Sequence, residues 1–228
     1  MRPTPLPPEL KAENAPYLRP KDAASLILVD RSTGNPRILV GKRSSAHVFM
    51  PDVYVFPGGR RDPRDHALPF DGDLHPVIVQ KLLQSASRPM TISSARALAL
   101  AAHRELGEET GLRFGRTPEQ QQKPDLSKLR YVARAITPPG RVRRFDTRFF
   151  CCYTDEVGID PATIQDSHEL ESLHWLDIRD NSSLNMAPIT RIVLEDVTKF
   201  MIGDPSLPFE SPVRQYFERR GKFIRGFL

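Results

Sequence analysis

Residues 103–112 read HRELGEETGL, and this stretch decides the fold. Three glutamates, Glu105, Glu108 and Glu109, crowd the segment just before Gly111. The preceding residues, SSARALALAAH (93–103), are rich in the strong helix formers alanine and leucine. Leu98, Ala102 and Leu106 recur every four positions, as one buried helical stripe requires. Ser93 or Ser94 is the expected cap, and Gly111 suits the left-handed residue that ends a helix. The glutamates then occupy the last turns of one helix. Like charges at these spacings repel by about 0.2–0.5 kcal/mol per pair, and the negative end of the helix dipole adds to the cost. A positive group must compensate. Arg104 is one candidate, and a hard divalent cation, Mg²⁺ or Mn²⁺, is another.

Working outward, VFPGG (55–59) closes a strand, VYVF (53–56). ASLILVD (24–30) and PRILVGKRS (36–44) flank a turn at Thr33-Gly34-Asn35 and predict a hairpin. Residues 60–92 read as an insertion with a short helix over 75–87. LRYVARAIT (129–137) and RRFDTRFFCCYT (143–154) predict strands joined by a turn at PPG (138–140), and HELESLHWLDI (168–178) a loop entering a strand. MAPITRIVLEDVTKFMIGD (186–204) has helical spacing, with Pro188 in its first turn. The expected organisation is a proline-rich arm at 1–20 and one domain over 21–228, ending in a helical extension at 186–228.

The 228 residues carry 33 Lys and Arg against 28 Asp and Glu, a net charge of +5. That suits an anionic partner without demanding one. The basic tail RRGKFIRGF (219–227) is read as a solvated tail packed through Phe223 and Phe227, and nucleic acid is not the expected partner. No apolar run is long enough to predict a membrane span, and MRPTPLPPEL lacks the apolar core of a secretory signal. Adjacent Cys151 and Cys152 would face opposite sides of a strand, so no disulfide is expected and a cytoplasmic location is.

RELGEETGL (104–112) resembles the second half of the Nudix box, G-x5-E-x7-R-E-U-x-E-E-x-G-U, where U is aliphatic. Arg104, Glu105, Leu106, Glu108, Glu109, Gly111 and Leu112 match, and VFPGG resembles its opening strand and glycine. The resemblance covers roughly residues 22–200. It implies a Nudix fold of the α+β class, a mixed sheet in an α/β/α sandwich, interrupted after the FPGG strand. Counting eight residues back from Arg104 to the early box glutamate lands on Arg96. FMPDVYVFPGGRRDPRD (49–65) and RRFDTRFF (143–150) look like the branch with peroxisomal coenzyme A diphosphatases. Arg43, Ser44 and Phe56 to Gly59 match the coenzyme A signature, whereas Val48 and Asp52 depart from it. The terminus GFL carries no peroxisomal S-K-L address.

The implied activity is diphosphate cleavage in a nucleoside diphosphate derivative such as coenzyme A or an acyl-CoA. ADP-ribose or a nucleotide sugar is the alternative substrate. A non-catalytic nucleotide-binding regulator, favoured by Arg96, is the alternative class. By resemblance, Glu105, Glu108 and Glu109 ligate the metal with a carbonyl of Gly58 or Gly59, and Arg104 steadies them. Glu169 is the preferred base, with Glu171 second, because HELE (168–171) precedes the tryptophan Trp175. Arg43, Arg143 and Arg144 are candidate phosphate contacts, as is Lys42. His47, His103 and His168 are read as structural or surface residues, and Asp146 as an arginine's partner. The insertion is expected to cover the site. The family's habit also allows a homodimer.

Overall fold

The structure, a computed structural model, describes residues 18–45, 50–85, 89–180 and 184–228. Most of the proline-rich arm, His47 and Val48 lie outside the described residues. The first strands are β1 (Lys21–Asp30), β2 (Arg37–Arg43), β3 (Tyr54–Val55) and β4 (Gly58–Arg60). Helices α1 (Pro76–Ser85), α2 (Ile92–Thr110) and α3 (Pro118–Gln122) follow. Then come β5 (Arg130–Ile136), β6 (Phe145–Tyr153), β7 (Leu170–Asp177), α4 (Pro188–Gly203), β8 (Arg214–Arg219) and β9 (Lys222–Phe227).

All nine strands join one mixed sheet, ordered β3-β2-β1-β6-β5-β8-β9, with β4 on β1 and β7 on β2. β1 runs parallel to β6 and β5 parallel to β8, while β1–β2, β5–β6 and β8–β9 are antiparallel. β1 is almost continuously apolar because both of its faces are covered. Ala24, Leu26 and Leu28 face a core shared with Leu98, Ala102 and Leu106 of α2 and Ile78 and Leu82 of α1. Ile27 and Val29 face the opposite core, with Val193, Leu194 and Val197 of α4. This is the expected α/β/α sandwich. Cys152 belongs to the first core and Cys151 to the second, so the neighbours point apart. Burial pushes the Cys151 thiol up to about 12 and that of Cys152 well above its ordinary value, leaving both unreactive.

Two expectations are corrected. The cap of α2 is Thr91, whose hydroxyl accepts the Ser94 N–H at 3.1 Å, so the helix begins before Ser93 and Ser94. The C-terminal stretch is helical only through α4. Its tail is the β8–β9 hairpin, which adds two strands to the sheet. Arg219 pairs with Lys222, leaving Arg220-Gly221 as a two-residue turn with φ of 51° and 72°. Two positive φ angles define the turn that matches strand twist, and glycine in second place favours it. At the other end of the site helix, Gly111 has φ 75° and donates its N–H to Gly107, as expected.

Candidate active site

A cavity of about 470 Å³ opens beside the last turns of α2. Glu105, Glu108 and Glu109 reach it from α2, and Glu169 from just before β7. Gly58, Gly59 and Arg60 of β4 and Arg43 of β2 line the same end. Pairing with β1 aligns Ser25 with Gly58 and Ala24 with Gly59, which sets β4 against the acidic helix. A Cβ at Gly58 would fall 2.5 Å from the Ala24 carbonyl oxygen, and one at Gly59 would fall 2.5 Å from the Glu105 Cδ. Gly58 therefore excludes a side chain against the β1 backbone, whereas a side chain at Gly59 would displace the Glu105 carboxylate.

Glu109 is buried, and its Oε2 accepts the Gly58 N–H at 2.7 Å. Burial raises its pKa well above the ordinary carboxylate range. The Gly58 N–H and the Arg43 charge oppose that rise, while Glu105 and Glu169 add to it. Burial also raises Glu105, against the pull of Arg104. Glu108 is more open, with 55% of its side chain exposed.

Arg104 organises the cluster. Its Nη1 donates to Glu105 Oε1 at 2.9 Å and Glu108 Oε2 at 2.8 Å. Its Nε donates to Asp65 Oδ1 at 2.8 Å, and its Nη2 to Asp65 Oδ2 and the Arg60 carbonyl, each at 3.2 Å. Burial works against the guanidinium charge, but these carboxylates outweigh it and push the pKa of Arg104 up. Asp65 itself is fully buried, and its Oδ2 also accepts the Asp62 N–H at 2.7 Å.

Asp65 is the residue that the sequence reading missed. Counting eight residues back from Arg104 puts the early acid of the box at Arg96. Arg96 instead forms a two-pronged pair with Asp73, at 3.0 and 2.6 Å, and lies over the Phe70 ring. Asp65 stands six positions after Gly59, which is the G-x5 spacing counted from the other side. The extra residues fall between the early acid and Arg104, and counting forward from Gly59 would have found it. Nor does the insertion cover the site as expected. Of its described residues only Arg60 lines the cavity, while the turn at Pro63–Ala67 and α1 pack on α2.

The other candidates divide. Arg43 lines the cavity, and burial lowers its pKa while Glu109 supports its charge. Arg143 lies exposed on the rim. Arg144 is buried and turned away: it donates to the Thr137 carbonyl at 3.0 Å and the Leu18 carbonyl at 2.6 Å, and it is not among the cavity-lining residues. Carbonyls flanking β1 and β5 hold it as an intramolecular tie. Lys42 pairs with Asp52 at 2.9 Å. His103 is buried, and its Nε2 lies 3.3 Å from the Phe114 N–H; burial lowers its pKa to about 4. His168 is exposed, 3.5 Å from Glu169. Asp146 pairs with Arg134 and Arg148.

As they stand, no three His, Cys, Asp or Glu side chains among the described residues are arranged to hold a metal ion. The donor chemistry nevertheless fits one. Glu105, half-buried, and Glu109, buried, are hard oxygen donors that repel each other. The bare backbone at Gly59 lets the Glu105 carboxylate lie against it.

A mixed sheet between helices, with this acidic box against a Gly-Gly strand, defines the class: the chain has the Nudix fold. Among particular proteins, it is similar to the NUDIX hydrolase of Alicyclobacillus acidocaldarius, with 26% identity and a TM-score of 0.56 over 81% of this chain and 96% of that one. It is 26% identical over 185 residues to the Caenorhabditis elegans protein named "Putative nudix hydrolase 7", covering 70% of this chain. The chain spans about half of that curated relative's length, 52%. The MutT/nudix family protein of Enterococcus faecalis shares the fold, with a TM-score of 0.51 at 12% identity over 86% of this chain and 68% of that one. No protein-family model matches the chain. Among the described residues, no helix is long and apolar enough to cross a membrane.

Proposed function

We propose that the chain is a divalent-metal-dependent diphosphatase that cleaves the diphosphate link of a nucleoside diphosphate derivative, with coenzyme A or an acyl-CoA as the finer reading. The observation that carries this is the pair Glu105 and Glu109, half-buried and buried, repelling each other at the wall of a cavity beside the Gly58-Gly59 backbone. A helix does not gain stability from such an arrangement. Binding a cation is the use that fits it.

Glu105, Glu108 and Glu109, with the Gly59 carbonyl, would hold Mg²⁺ or Mn²⁺. Bound there, the ion supplies charge neutralisation at the diphosphate and a more acidic water. Arg104 fixes the carboxylates of Glu105 and Glu108 from one nitrogen. Glu169 presents a carboxylate to the same cavity and would take a proton from water there. Arg43 and Arg143 line the same cavity and would bind phosphate oxygens. The match of Arg43, Ser44 and Phe56 to Gly59 with the coenzyme A signature supports the finer reading. The non-catalytic reading loses its motive, because Arg96 faces Asp73 and Asp65 serves Arg104 instead.

The test is incubation with coenzyme A, an acyl-CoA, ADP-ribose and dinucleotides, each with Mg²⁺ or Mn²⁺ and with chelator. Metal-dependent release of two phosphorylated fragments is expected, from coenzyme A 3′,5′-ADP and 4′-phosphopantetheine. Binding without turnover across the whole panel contradicts the proposal.

A further inference from the structure

The cavity has a second chemistry beyond its acidic end. Along the sheet order β1-β6-β5-β8-β9, the lining changes from carboxylates over β4 to apolar side chains over the later strands. Ile136 comes from β5, Phe149 from β6, Tyr216 from β8 and Phe223 from β9. Ile189 comes from the first turn of α4. The Tyr216 and Phe223 rings stack with 6.5 Å between centroids and 11° between planes.

Thr147, Thr190 and Arg141 also line the cavity, but two polar handles of this wall are engaged. The Tyr216 hydroxyl donates to Asp196 Oδ2 at 2.7 Å. Asp196 is buried in α4 and also accepts from Arg225 of β9, at 2.9 and 2.5 Å. The hairpin is thus pinned to α4, with the Tyr216 ring left facing the cavity. The Thr137 hydroxyl accepts the Phe145 N–H at 3.0 Å. A hydroxyl-rich sugar placed there would exchange water for carbon, whereas a hydrocarbon would gain from the transfer.

We propose that this arm is an apolar subsite, walled by the C-terminal hairpin, that takes an uncharged aliphatic group carried by the diphosphate substrate. The inference rests on the diphosphatase reading and extends it to substrate class. The enzyme then prefers diphosphates esterified to a hydrocarbon-bearing group over nucleotide sugars.

The probes are linear alkyl esters of adenosine diphosphate, from ethyl to decyl. Kd is measured by calorimetry with chelator present, and kcat/KM with Mn²⁺. Both should improve by about fourfold per methylene until the arm is filled, from about 0.8 kcal/mol per buried CH₂. Phe223→Ser and Ile189→Ser, at half-buried positions, should each flatten that slope. A flat wild-type series in both Kd and kcat/KM overturns the subsite, as does a slope that neither variant changes. A flat alkyl series whose overall affinity drops in Phe223→Ser also overturns it, by giving the arm to the base. A slope in Kd without cleavage of any ester supports the subsite and counts against the diphosphatase reading alone.

Discussion

Asp65 and Arg104, 39 positions apart, meet as a two-pronged ion pair, with Nε to Oδ1 at 2.8 Å and Nη2 to Oδ2 at 3.2 Å. One end of the Arg104 guanidinium is thereby anchored to a buried carboxylate, and the other is left to hold Glu105 and Glu108. Planar geometry makes the two ends interdependent. Asp65→Asn should lower kcat by about 10- to 100-fold, the usual cost of losing an outer partner of a metal ligand. Stability should fall by about 2 kcal/mol, since a partly buried charge loses its partner. Asp65→Glu, keeping the charge, should recover part of the rate. Steady-state kinetics over a range of metal concentrations checks this, and wild-type behaviour in Asp65→Asn would deny the anchor any part in turnover.

Gly59→Ala tests the close approach of β4 to the helix. The new methyl occupies the position of the Glu105 carboxyl group, which must swing away. A displacement of about 1 Å at such a site costs about 100-fold in rate. The expected result is that loss with the thermal midpoint nearly retained, measured by kinetics and calorimetric melting in parallel.

Glu109→Gln tests the charge itself. An acid whose folded pKa is raised contributes stability that is complete below its unfolded value, 4.5, and lost as pH rises through the folded one. At neutral pH the metal-free protein therefore bears the cost of a buried ionisable group. Removing it should stabilise the metal-free protein by on the order of 1 kcal/mol, while turnover falls by several powers of ten. Urea unfolding at pH 7, with chelator, measures the first effect.

Asp196 gives the opposite sign. Burial alone would raise its pKa, but the hydrogen bonds from Arg225 and Tyr216 outweigh burial and lower it. Its stabilising contribution is present above the unfolded value, 3.8, and is lost as pH falls through the lower folded value. Asp196→Asn should cost about 3 kcal/mol at neutral pH by leaving Arg225 without its carboxylate. The gap from wild type should narrow below about pH 4. Urea titrations at stepped pH read this directly, and a constant gap would contradict it.

Much of this was legible in the sequence for identifiable reasons. Leu98, Ala102 and Leu106 announced the buried stripe of α2, and Gly111 its end, because helix periodicity and a left-handed cap are local properties. The strands expected at 24–30 and 143–154 read clearly because Leu26–Val29 and Phe149–Tyr153 are apolar and buried on both faces. The β8–β9 hairpin did not, because Arg, Lys and Glu alternate with its aromatics and its stability comes from Asp196, distant in sequence. Its one local sign was glycine at Gly221 between two pairable runs. Asp65 was hidden by counting from only one end of an interrupted motif. The inward-facing Tyr216 and the backbone-bound Arg144 depend on long-range contacts that spacing does not encode.

The most direct test is calorimetric titration of Mn²⁺ into the chelator-stripped protein and into Glu109→Gln. Saturable uptake by the wild type, greatly weakened in the variant, is the predicted result. No uptake, with or without a diphosphate present, or equal uptake by both proteins, would contradict the account.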